Sequence, residues 1–149
     1  MKKLAQIVLC LTVAASAAAC FGYERGTTPT SPSGSGSLVG NWTSSSLIPT
    51  PSSCADFKWN ITEQTGNTAR GSFSATCAGD LKLTGTAQGT INGSTIQWSA
   101  NAVGNAPGLA NCQVSLTGTA EIGVTTVRVP YSGDTCLGKV SGVESLSRR

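Results

Sequence analysis

The chain has 149 residues, ten Lys/Arg against seven Asp/Glu, and no histidine. Charged residues make up only 11% of it, and from Cys20 onward eight Lys/Arg stand against seven Asp/Glu, a balance that argues against nucleic acid and against strong attraction to anionic surfaces. Lack of histidine removes the commonest general base and the usual serine or cysteine triads, so no catalytic residue is assigned.

The N-terminus reads Met1-Lys2-Lys3, then an apolar run from Leu4 to Ala15, then Ser16-Ala17-Ala18-Ala19. A charged start, a short apolar stretch and small residues make a secretory signal over 1–19. The run is too short to span a bilayer comfortably. Two cleavage readings stay open. Ala17-Ala18-Ala19 suits the general signal peptidase. The same residues followed by Cys20 resemble a bacterial lipobox, with Ala17 where a Leu is usual. That resemblance implies lipidation of Cys20, and Phe21 in the next position implies outer-membrane retention, facing the periplasm or the cell surface.

Cysteine counting supports the lipobox. Six cysteines less Cys10, lost with the signal, leave five. Cys54, Cys77, Cys112 and Cys136 can form two disulfides in an oxidising compartment, which leaves Cys20 over. A thioether to lipid explains it; a free thiol or an intermolecular bridge is the competing account. Residues 20–37 lack core-forming side chains and are rich in Ser, Thr, Pro and Gly, so they read as a flexible tether. Its 17 residues from Phe21 to Ser37 would span about 20–25 Å.

The folded part is then 38–149, one domain's worth of chain. Apolar and polar residues alternate through Phe57-Lys58-Trp59-Asn60-Ile61, Leu81-Lys82-Leu83, Ile96-Gln97-Trp98, Val114-Ser115-Leu116 and Val127-Arg128-Val129-Pro130-Tyr131. Period-two patterning predicts strands with one buried face. Turn signals separate them: Gly66-Asn67, Gly79-Asp80, Asn92-Gly93 and Gly123. Eight strands result, at about 38–45, 55–64, 68–77, 81–91, 94–102, 112–121, 124–133 and 137–146. Short connections make consecutive strands neighbours, so the fold expected is an all-β, eight-stranded antiparallel up-and-down β-barrel; a two-sheet β-sandwich is the alternative. A membrane-spanning barrel is rejected because aromatic girdles are missing.

Gly40-Asn41-Trp42 on the first strand resembles the G-x-W that opens lipocalins and related small barrels, among them avidin-like proteins and barrel-shaped protease inhibitors of bacterial periplasms. A longer loop, Ser46–Ser53, follows the strand as in lipocalins. The resemblance implies the barrel and a structural role for Trp42 at its closed end.

In a meander, loops 46–53, 78–80, 103–111 and 134–136 fall at one end and the tight turns at the other. All four domain cysteines flank loops of the first end. Cys54 and Cys77 sit symmetrically about Thr65-Gly66, and Cys112 and Cys136 about Val124, so the pairs expected are Cys54–Cys77 and Cys112–Cys136. If Phe57 and Phe73 share the interior, the first pair is one residue out of register and the second similarly so, which a β-bulge, or cysteines lying just beyond regular pairing, would absorb. Without C-x-x-C or histidine, metal binding is not expected, nor is any cofactor.

Trp59, Trp98, Phe57 and Tyr131 lie on apolar parities and are the candidate ligand-binding residues. Inward small residues such as Gly71, Ala87 and Gly89 leave room for a pocket or for ordinary core packing. Glu63 shares the inward parity. The segment Val103–Asn111 is the candidate flexible lid or partner-contact loop. The expectation is a non-enzymatic envelope lipoprotein, held to the membrane by an N-terminal lipid. It would bind a small apolar ligand in the barrel or a protein partner through the distal loops. Protease inhibition or a purely structural role are the alternatives.

Overall fold

The structure is a computed structural model that describes residues 36–149. The expected signal, Cys20 and most of the tether therefore lie outside the described residues. Eight strands follow in order: β1 Gly40–Ser44, β2 Cys54–Thr65, β3 Thr68–Cys77, β4 Leu81–Asn92, β5 Thr95–Ala106, β6 Leu109–Ile122, β7 Thr126–Thr135 and β8 Gly138–Arg148. A short 3-10 turn, Ala78–Asp80, joins β3 to β4. Each strand pairs antiparallel with the next, and β8 pairs back onto β1, so the sheet is a closed up-and-down barrel rather than a sandwich. Closure leaves no free sheet edge.

Alternation supplies the core. Along β5, Ile96, Trp98, Ala100 and Ala102 are buried while Gln97 and Asn101 are exposed. Leu81 and Leu83 of β4 and Val114 and Leu116 of β6 join the same core. Polar Thr, Ser, Gln and Asn fill the outer face, which explains the low charge of the whole chain.

Both predicted disulfides form, Cys54–Cys77 and Cys112–Cys136. The expected bulge is present as well. Cys54 pairs with Cys77, yet Lys58 pairs with Ser74, a slip of one residue at Asp56, whose φ is +52°. A second slip lies between Ile61 and Glu63. It turns Glu63 outward, contrary to its parity, where it meets Arg70 at 3.6 Å in an exposed ion pair. Gln64 takes the inward place, and its Oε1 accepts from Leu38 N at 2.7 Å.

The 103–111 segment is also corrected. β5 runs on to Ala106 and β6 begins at Leu109, so only Pro107 and Gly108 turn. Proline presets its own φ and Gly108 takes φ +74°, the combination a type II turn requires. The strands can extend because Gly104 leaves its inward site to Leu81; a Cβ there would come within 2.8 Å of Leu81 Cδ1.

Two ladders are short. β1 stops pairing with β8 after Trp42–Arg148, Thr43–Ser147 and Ser44–Leu146. Between β6 and β7, pairing lapses from Thr117–Ser132 to Glu121–Arg128, around Pro130, which has no N–H to donate. By contrast β7 and β8 pair without a break from Thr126–Ser147 to Thr135–Gly138.

Candidate functional site

The barrel interior is occupied by its own side chains. Phe57 packs edge-on against Phe73 with centroids 5.4 Å apart and lies 5.0 Å from the Tyr131 ring. Trp59 and Trp98 meet edge to face at 5.1 Å. The four candidate ligand residues thus form two packed groups, both buried. Beside the Trp pair, at the tight-turn end, a cavity of about 30 Å³ lies behind Leu38, between Ile61, Ile96, Gly71 and Gly89. One water needs about 10–15 Å³ of such space, whereas ligand pockets run to several hundred. The indole N–H groups of Trp59 and Trp98 have no hydrogen-bond partner in the protein. Trp42 belongs to the end wall: its Nε1 donates to Leu38 O at 2.8 Å, and the Arg148 guanidinium stacks 4.9 Å from its ring centroid.

At the disulfide-braced end the interior turns polar. Ser44 and Glu144 are the buried polar and charged residues among the described residues. Ser44 Oγ accepts from Phe57 N and donates to Ser46 O, each at 3.0 Å. Tyr131 Oη crosses the barrel to accept from Cys54 N at 2.6 Å and donate to Cys54 O at 2.7 Å. Burial pushes this phenol up from its ordinary value; the Cys54 backbone bond opposes that, and the nearby Glu144 adds to it.

Glu144 was not picked out by its sequence position, although its parity is that of Val140 and Leu146. It points inward and is only 6% exposed. Its Oε2 is buried without a partner. Burial raises its pKa, while the hydroxyls of Ser44 and Ser46 partly offset the rise. The β1–β8 register, continued past Ser44–Leu146, puts Ser46 opposite Glu144. Glu144 therefore sits where β1 ends and the loop 46–53 takes over as the cover of β8.

That loop is pinned at several points. Asp56 N donates to Ser46 O at 2.7 Å, Ser141 N to Ser52 O at 3.0 Å and Ala78 N to Ser53 O at 3.1 Å. Ser53 and Thr50 close an inner turn, with Thr50 N donating to Ser53 Oγ at 2.8 Å. Pro49 and Pro51 fix two backbone angles. On this frame Leu47 is 66% and Ile48 86% exposed. Leu137, in the β7–β8 turn of the same end, is exposed too and lies against Gly79. The sequence signal for the loop was present: two adjacent aliphatics, Leu47-Ile48, set among serines and prolines with no strand alternation to explain them.

No protein-family model, curated protein or solved structure matches the chain.

Proposed function

We propose that this chain is a non-enzymatic lipoprotein of a bacterial cell envelope whose barrel presents the 46–53 loop to a protein partner. One observation carries the reading: the interior is filled, while the two most prominent aliphatics of the braced end, Leu47 and Ile48, stand in solvent on a pinned loop. A loop already held in one shape loses little entropy on binding, so apolar side chains displayed on it convert more of their buried area into affinity. The lipid anchor at Cys20 and the tether support the same picture. The chain enters β1 at the tight-turn end, and the loop lies at the opposite one. A resemblance to lipocalin-type and inhibitor-type barrels agrees with it but names no target.

A photo-crosslinking residue placed at Ile48, in the cell that makes the protein, tests this reading. A discrete protein adduct is expected from position 48 and none from Thr86 on the outer barrel face. Equal labelling from both positions, or none from either, would refute it.

The unpartnered indoles of Trp59 and Trp98 favour a second reading, a very small ligand in the cavity behind Leu38. Native mass spectrometry separates the two. A mass excess lost on denaturation supports the small ligand, and a bare mass supports the loop.

A further inference from the structure

Glu144 has no part in the binding just described, yet it sits beside the groups that hold the loop. Its carboxyl lies among the groups that hold both feet of 46–53. Ser44 and Ser46 hold the entry, and Tyr131 grips Cys54 at the exit. One carboxyl oxygen has no donor, and the residue is more than nine-tenths buried. A buried carboxyl with an unpartnered oxygen is tolerated neutral and is costly ionised.

We propose that Glu144 is a proton-operated latch on the 46–53 loop: neutral, it lets Ser46 and the loop pack over the end of β1; ionised, it draws water in and lifts the loop's entry.

The surroundings offer no competing countercharge. From β1 the facing group is Ser44, from the loop Ser46, and from β7 Tyr131. Of the cations on β8, Lys139 is exposed and paired with Asp134 at 2.9 Å, and Arg148 is stacked on the Trp42 ring. On β2, Asp56 carries its own partner, Lys58, at 2.9 Å. Beyond the Ser44 and Ser46 hydroxyls, ionised Glu144 thus has only water to turn to, and β1 stops covering β8 just short of it. That gap is what Ser46 and its neighbours close.

As a device the latch would make display of Leu47 and Ile48 depend on pH, and its biological use rests on the partner-binding reading above. The step itself needs no partner. The test is hydrogen–deuterium exchange of the oxidised full chain across pH 5 to 8, corrected for intrinsic exchange. The 95–106 strand serves as reference. Loop protection at 46–53 should fall up to tenfold per pH unit as pH rises from the ordinary carboxyl value towards the Glu144 midpoint and level off above it, as expected of one linked proton, while the reference stays level. Glu144→Gln should abolish that slope and keep the loop protected throughout. A loop whose protection is flat with pH, or that loosens equally in Glu144→Gln, overturns the latch. Should the variant not fold, a carbon-13 titration of the wild-type Glu144 carboxyl decides. A shared midpoint with loop opening supports the latch, and separate midpoints refute it. Failure to crosslink a partner at position 48 would leave these results untouched.

Discussion

Tyr131 and Cys54 are 77 residues apart, yet the phenol of one satisfies both backbone groups of the other across the barrel lumen. Strands β2 and β7 are not neighbours in the sheet, so this side chain is a strut rather than a ladder bond. It ties the disulfide corner to the opposite wall at the level of Phe57.

Tyr131→Phe keeps the ring against Phe57 and deletes the strut. A buried N–H and a buried C=O are then left unpaired, at about 2–4 kcal/mol in total. Urea unfolding should show a lower midpoint with an unchanged slope. A midpoint shift equivalent to less than about 0.5 kcal/mol would mean that water replaces the hydroxyl.

Each disulfide closes a segment of similar size, with partners 23 and 24 residues apart. Replacing either pair by alanines should cost about 3 kcal/mol in the chain-entropy picture. The two losses should differ in place. Without Cys54–Cys77 the exit of the 46–53 loop is freed, so limited proteolysis should cut near Ser52 first. Without Cys112–Cys136 the first cuts should fall in the β7–β8 turn.

Stability should fall as pH rises past the acid range. Glu144 has a pKa raised above its ordinary value of 4.5. Below that value the group is protonated whether the chain is folded or unfolded, and nothing is lost. Between that value and the folded-state pKa the unfolded chain ionises and hydrates its carboxylate while the native barrel keeps the proton, so the native state loses ground; above the folded-state pKa the loss is complete. Thermal melts from pH 4 to pH 8 should show this slope in the wild type and lose it in Glu144→Gln. A Glu144→Gln protein less stable than wild type at pH 8 would contradict the sign.

Trp98 separates core from pocket. Its indole N–H has no partner, so Trp98→Phe should cost little beyond the lost ring area, about 1–2 kcal/mol. Trp98→Ala removes the edge-to-face partner of Trp59 and opens a cavity, at about 3–5 kcal/mol. A Trp98→Ala barrel as stable as wild type would mean that the position is held for binding rather than for packing.

The strand order, the barrel and both disulfides were legible because each rests on a local, repeated signal. Period two gives the buried face, Gly and Asn mark the turns, and cysteines placed symmetrically about those turns can only meet across one hairpin. What escaped were features set by single-residue slips. Glu63 has inward parity in a regular strand, and a bulge between Ile61 and Glu63 reverses it. Pro107-Gly108 reads as part of a long loop until Gly104 is seen to make way for Leu81, which lets the strands run on. Glu144 follows the rule for burial, sharing parity with Val140 and Leu146. A carboxylate breaks the hydrophobic pattern that makes parity visible, so it does not stand out.

The two interrupted ladders flank the same hairpin. β7 and β8 are joined to each other along their full length, but β8 grips β1 through three residue pairs and β7 grips β6 on either side of Pro130. The closed cylinder is therefore a six-stranded wall with one detachable stave. The first large-scale opening should swing that stave outward as a unit, taking Tyr131, Glu144 and Leu146 with it. On that view the Cys112–Cys136 bridge is a hinge strap. It keeps the stave within reach of its slot, so that reclosure is a short intramolecular search rather than a refolding.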